Sequence, residues 1–307
     1  YLSLAGYTVD GRKKPDITSP GSSQLTPHIA SDVSYYTTVK DGATSFSIPQ
    51  TGGVAALLLQ YADSTAEPYD NQNIVIKAVI VNSAFPNIRD KSGAYTDPAN
   101  RVWDPNRGYG RIDALKAYQT LSAGRFSKEA NITSAKGWAY DTMNSNQTHT
   151  YMISGIKKQR LVLTVTWNRA VNKNKFGYSI DTPLFKLDVT VKDPLGQTIF
   201  YQEADNNNLH KLDLVLPTDG NYSVILHNIT SKSRSYALAF ELSEPLQCDF
   251  NNDFVVDEKD LAQLSIDWLN SGTGLLADIT EDGVINNKDL GEFAENWRSI
   301  DGRYYVP

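Results

Sequence analysis

Two twelve-residue segments, Asp249–Asp260 and Asp278–Asp289, repeat one order of oxygen-bearing side chains at an offset of 29. Each runs straight into the same apolar spacing, Leu261, Leu264 and Trp268 after the first and Leu290, Phe293 and Trp297 after the second. Spacing of i, i+3, i+7 puts such residues on one face of a helix, so two copies can bury their stripes against each other. The loops have their own chemistry. A hard divalent cation such as Ca²⁺ takes about six to eight oxygens, and a twelve-residue loop delivers them from positions 1, 3, 5, 7, 9 and 12. In the first loop these positions are Asp249, Asn251, Asp253, the Val255 carbonyl, Asp257 and Asp260; in the second, Asp278, Thr280, Asp282, the Val284 carbonyl, Asn286 and Asp289. Gly283 stands at the sharp turn of the second loop, where the first has Phe254. The expectation is about two Ca²⁺ ions, one for each such loop.

Charge is distributed to match. The 307 residues carry a net charge of −6, but Cys248 to Trp297 holds twelve carboxylates against two lysines, leaving the remainder net positive. No basic stripe with interleaved aromatics accompanies this, which argues against nucleic acid as a partner. The long apolar stretch Val54–Leu59 is soon interrupted by Gln60, Asp63 and Glu67, well short of the roughly 18 apolar residues of a membrane span. Cys248 is the single cysteine, so an internal disulfide is excluded.

The acidic repeats resemble a dockerin module, a family whose duplicated segments carry Asp rather than Glu at position 12. The resemblance implies a cohesin-type partner and a secreted or cell-surface setting. A module that binds calcium only to stabilise its own chain is the other reading.

Residues 125–243 have a different texture. Apolar residues alternate through Leu161, Leu163, Val165 and Trp167, then Leu187, Val189 and Val191, then Leu212, Leu214 and Leu216, then Tyr222, Val224 and Leu226. Turn signals at Asp193-Pro194-Leu195-Gly196 and Asp219-Gly220 separate them, which predicts antiparallel strands in a jelly-roll-like β-sandwich. The segment resembles sandwich domains appended to secreted bacterial proteases. Trp138 and Trp167 are read as core, with a carbohydrate-stacking platform as the alternative.

The first 124 residues mix Gly and Pro loops with apolar helical runs. Ala43-Thr44-Ser45-Phe46-Ser47-Ile48-Pro49 leads into the run Gly53–Leu59, and a serine set just before a helix lies in the partial positive charge of its free N–H groups. Three stretches, Lys14-Pro15-Asp16-Ile17 with Ser19-Pro20-Gly21, the Ser45 segment, and Asn106-Arg107-Gly108-Tyr109-Gly110-Arg111-Ile112-Asp113-Ala114, resemble in order the C-terminal part of subtilisin-like serine proteases. On that resemblance Ser45 is the nucleophile, its own backbone N–H is one oxyanion donor, and the substrate is a protein or peptide. Ala43, Ile48 and Gln50 depart from the Gly, small residue and His usual in the family.

Attack by serine needs a base and a carboxylate to orient it. His28, the only histidine before Ser45, stands in Thr26-Pro27-His28-Ile29 and lacks the family's His-Gly-Thr setting, and Asp16 belongs to a structural segment. The triad Asp and His are therefore expected upstream of Tyr1, in a missing N-terminal half of the protease domain, and the 307 residues are expected to be inactive alone.

The fold class expected is thus multidomain: a partial α/β subtilisin-like domain over 1–124, an antiparallel β-sandwich over 125–243, a small α-helical, EF-hand-type dockerin-like module over 244–300, and a tail over 301–307. The alternative function is a non-enzymatic scaffold or surface-attachment protein built on a degenerate protease-like domain.

Overall fold

The computed structural model describes residues 6–21, 24–31, 34–39, 43–86, 102–174, 177–180, 184–244, 246–251 and 255–299. The chain divides into two compact units, Tyr1–Leu242 and Ser243–Pro307.

The first unit begins with two hairpins, β1 (Gly6–Tyr7) with β2 (Lys13–Lys14), and β3 (Gln24–Ser31) with β4 (Ser34–Val39). Three helices follow, α1 (Thr44–Asp63), α2 (Asn73–Asn82) and α3 (Ala114–Ser122). Then come β5 (Asn131–Ile132), β6 (Lys136–Met143), β7 (Thr148–Gly155), β8 (Arg160–Trp167) and a hairpin of β9 (Val171–Asn174) and β10 (Gly177–Ile180). The run closes with β11 (Leu187–Lys192), β12 (Thr198–Gln202), β13 (Leu209–Val215), β14 (Gly220–Asn228) and β15 (Arg234–Ser243).

These strands build two sheets, in the orders β12-β11-β14-β7-β5 and β13-β8-β15-β6. The eight longer strands follow the jelly-roll order, changing sheet at each step except the β11–β12 hairpin. β11 pairs antiparallel with β12 and β14, as do β14 with β7, β13 with β8 and β15 with β6, and the short β5–β7 contact is parallel. Period-two alternation explains the core: Leu161, Leu163, Val165 and Trp167 of one sheet face Leu187, Val189, Val191, Tyr222, Val224 and Leu226 of the other. Leu212 and Leu216 join them, while Leu214 is only partly buried.

The opposite face of the β13-β8-β15-β6 sheet is buried too, because the helices lie on it. All eight residues of β8 are buried, and the outward residues Trp138, Ala237 and Ala239 cluster with Leu58, Ile74, Val75, Val79, Ala117 and Leu121. Alanine at 237 and 239 leaves room for helix α2 to approach the sheet. Within 6–122 the described strands form only the two hairpins, so the sheet that supports these helices belongs to the sandwich. Both tryptophans in question are core residues. Each is 1% exposed, and their indole N–H groups donate to the carbonyls of Leu121 and Phe185, which rules out a carbohydrate-stacking platform at Trp138 and Trp167.

The second unit holds α4 (Glu258–Ile266) and α5 (Asn287–Glu295) around a small core of Cys248, Val256, Leu264, Ala277, Ile285 and Phe293. The repeats interlock reciprocally. Val256 N–H donates to Ser299 O and Arg298 N–H to Val256 O, while Leu269 N–H donates to Ile285 O and Ile285 N–H to Asn270 O, each pairing displaced by 29 from the other. Leu269 and Arg298 both take positive φ, 63° and 62°, at the same point of each repeat. Of the two expected stripes, Leu264 and Phe293 are buried, Leu261 and Trp268 pack partly, and Leu290 and Trp297 keep 38% exposure.

Candidate functional site

The serine segment is assembled by side chains that tie the start of α1 to the preceding turn. Ser19 Oγ donates to Ser47 O at 2.6 Å, Ser47 Oγ returns a bond to Ser19 O at 3.0 Å, and Gln50 Nε2 donates to Pro20 O at 2.9 Å. A β-carbon at Gly21 would stand 2.5 Å from Ser47 Oγ and 3.0 Å from Ala43 O, so this approach demands glycine. These bonds order the first turn, and α1 begins at Thr44 rather than after Gly52. Ser45 therefore sits inside the helix as its second residue, not ahead of it as the sequence suggests, and its side chain is exposed. Pro49 lies beyond the first turn. Lacking an N–H, it leaves the Ser45 carbonyl without the usual i+4 donor. The Ser45 N–H stays outside the helix ladder as a first-turn amide.

The other two protease-like stretches meet in space. Tyr109 N–H donates to Asp16 O, Thr18 N–H to Gly110 O and Ile112 N–H to Thr18 O, and Phe85 and Arg111 exchange both backbone bonds. Gly110, at φ 129°, would place a β-carbon 2.4 Å from Phe85 O. Asp16 is engaged structurally, its Oδ2 2.5 Å from Lys14 Nζ and 3.2 Å from Lys77 Nζ. Burial pushes its carboxyl up, but the two ammonium groups outweigh that and hold it below the ordinary value.

No described histidine side chain serves Ser45. His149 bonds Tyr236, His210 bonds the Leu187 carbonyl at 2.9 Å, and His227 lies 4.0 Å from Asp188, all within the sandwich. Around α1 there is instead an apolar groove of about 450 Å³ lined by Val54, Leu57, Leu58, Tyr61, Ala114 and Tyr118. Leu57 and Ile48 are 63% and 68% exposed on this helix.

In the second unit both position-12 aspartates are fully buried and do the same work. Asp260 Oδ1 accepts from the N–H groups of Phe250 and Asn251, and its Oδ2 from Asp257 N–H at 3.0 Å. Asp289 Oδ1 accepts from Thr280 N–H and Oγ1, and its Oδ2 from Asn286 N–H at 2.8 Å. Each closes a capping box with the position-9 residue, Asp257 or Asn286, whose side chain accepts from Lys259 or Lys288 N–H. Position 9 is thus committed to a helix N-terminus, and Asn286 Nδ2 also donates to the Val284 carbonyl at 3.0 Å.

Asp278 anchors the second loop by accepting from Asp282 and Gly283 N–H, with Gly283 at φ 84°. Carboxylate oxygens of Asp278, Asp282 and Asp289 lie within 4.8 Å of one another, a donor set of hard oxygens suited to Ca²⁺. Lys288 Nζ stands 2.6 Å from Asp282 Oδ2 and supplies positive charge at the rim. That contact depresses the Asp282 carboxyl. In the first loop, Asp253 lies outside the described residues. Asp249, Asn251, Val255, Asp257 and Asp260 are placed along the loop and into α4.

Residues 1–114 match the model of the Subtilase family. Among curated proteins, the chain is 33% identical over 140 residues to the C5a peptidase of Streptococcus pyogenes serotype M18 (strain MGAS8232), covering 44% of this chain. The chain spans 11% of that relative's length. Solved structures include the pre-peptidase C-terminal domain of collagenase from Bacillus anthracis, at 13% identity and TM-score 0.28, covering 38% of this chain and 98% of that one. A periplasmic inhibitor of g-type lysozyme from Aeromonas hydrophila is similar at 13% identity and TM-score 0.26, over 38% and 91% of the two chains. At such scores the sandwich rests on its own strand pairing.

Proposed function

We propose that the first unit carries the nucleophile-bearing part of a subtilisin-like serine endopeptidase, with Ser45 as the attacking residue. The carrying observation is Ser45 in the exposed first turn of α1, within a segment that matches the Subtilase family. In this reading Ser45 Oγ attacks the scissile carbonyl of a protein or peptide, and the Ser45 N–H helps hold the oxyanion that forms. The His and Asp come from a further part of the protease domain, which also covers the apolar face of α1. Labelling with a fluorophosphonate, in a preparation that supplies those two residues, tests the assignment: the adduct maps to Ser45, and an adduct on any other serine contradicts it.

The second unit is, in the same proposal, a dockerin-like module that takes about one Ca²⁺ in each loop and docks on a cohesin-type partner outside the cell. Its support is the reciprocal pairing of the two loops and the three converging carboxylates. Asp278, Asp282 and Asp289 would hold the ion in the second loop, with Thr280 and the Val284 carbonyl beside them. A non-enzymatic scaffold is the second reading. It is favoured by Ala43 and Ile48, which depart from the family's pattern around Ser45.

A further inference from the structure

His149 is 2% exposed on β7, yet it belongs to a polar chain that crosses the sandwich rather than to its apolar core. Its Nε2 lies 3.2 Å from Lys128 Nζ, and its Nδ1 lies 2.7 Å from the Tyr236 hydroxyl, which is 2.6 Å from the Tyr151 hydroxyl. An ammonium can only donate, so Nε2 must accept from Lys128 and the ring proton must sit on Nδ1. Donation then runs from Lys128 through His149 to the Tyr236 hydroxyl, which pairs with that of Tyr151. The arrangement requires neutral imidazole, since a second ring N–H would aim one donor at another beside a like charge.

Every charged or titratable group around the ring bears on this. Lys128 and Glu129 come from the connector between α3 and β5, Asp141 from β6, Tyr151 from β7 itself and Tyr236 from β15. Arg125, also in the connector, acts on Tyr151. Asp141 Oδ2 is 2.9 Å from Lys128 Nζ and 4.0 Å from His149 Nδ1, so it can serve either cation. Burial first, and Lys128 second, hold the imidazole below its ordinary value.

The connector that bears Lys128 also fastens the helices to the sandwich. Phe126 packs edge-on against Tyr151 and Phe240 at 5.6 and 5.1 Å, its N–H donates to Trp138 O, and Glu129 N–H donates to Thr150 O at 2.8 Å. Lys128 is about a third exposed and can swing into solvent.

We propose that His149 and Lys128 form an acid-sensitive latch: protonation of the ring expels the ammonium and loosens the 125–130 connector from the sandwich. The latch is independent of the protease and calcium assignments.

Amide hydrogen exchange on the full chain, corrected for intrinsic rates, tests it at pH about 7.5 and about 5, on either side of the imidazole range. The Phe126 and Glu129 amides are expected to lose about tenfold protection at the lower pH while β8 and β14 keep theirs. Lys128→Met, which removes the clash at a partly exposed position, and His149→Gln should both abolish the difference. Equal protection at the two pH values, a loss shared by the whole sandwich, or a loss that persists in either variant would overturn the latch.

Discussion

Trp138 donates its indole N–H to the carbonyl of Leu121 at 2.9 Å, so a residue of the sandwich satisfies the last turn of α3. Lys211 of β13 does the same for α2, donating to Val81 O at 2.8 Å from a buried position. A positive group at a helix C-terminus also meets the favourable end of the macrodipole. The helices and the sandwich are therefore joined by side-chain-to-backbone hydrogen bonds as well as an apolar layer. Trp138→Ala should cost about 3–5 kcal/mol through the cavity it leaves. Trp138→Phe should cost less, about 0.5–1.5 kcal/mol for the lost indole hydrogen bond, because Gly124 N–H still serves the Leu121 carbonyl. Denaturant unfolding of both variants checks the order, and a chain cut after residue 124 should not fold.

Asp10 gives this joint a pH dependence at its other end. Its carboxylate lies 2.6 Å from Arg169 Nη1, between β8 and β9, and also contacts Arg12 and the Thr8 hydroxyl. The Thr8 hydrogen bond, then, against desolvation, the two arginines, lower its pKa to about 2. A depressed carboxyl contributes stability above its unfolded value, so the contribution is complete above pH about 4 and lost as the pH falls toward the folded value. Asp10→Asn should lower stability at neutral pH and flatten the acid limb of the unfolding curve measured by circular dichroism.

Calcium titration calorimetry on the full chain should give about two ions. Lys288→Ala should tighten the second loop, because the ammonium that neutralises Asp282 is removed. Asp289→Ala should abolish that loop's binding and weaken α5, since one carboxylate serves both the loop and the capping box. Unchanged binding in both variants would contradict the ligand assignment.

Much of this was legible because it follows short periodicities. Alternation identified the inward residues of β8, β11 and β14, and the 29-residue offset identified both loops and both helices. Relationships set by tertiary packing were not legible. Ile74, Val75, Ile76, Val79, Ile80 and Val81 favour strand locally, yet burial between the other helices and a sheet makes them α2. Ala237 and Ala239 look unremarkable in sequence, and only the second buried face of the sheet explains them. Helix α1 begins earlier than its apolar run because Ser19, Pro20 and Gly21 hold its first turn from outside. Spacing offers the position-9 residues as ligands, and their added part in the capping boxes depends on backbone geometry that spacing does not display.

The most direct measurement is peptide hydrolysis by a polypeptide that joins this sequence to a His- and Asp-bearing protease portion, with Ser45 intact and as Ser45→Ala. Turnover is expected in the first and a loss of more than about a thousandfold in kcat in the second, with unfolding unchanged. Undiminished hydrolysis by Ser45→Ala, or steady hydrolysis by the 307 residues alone, would contradict it.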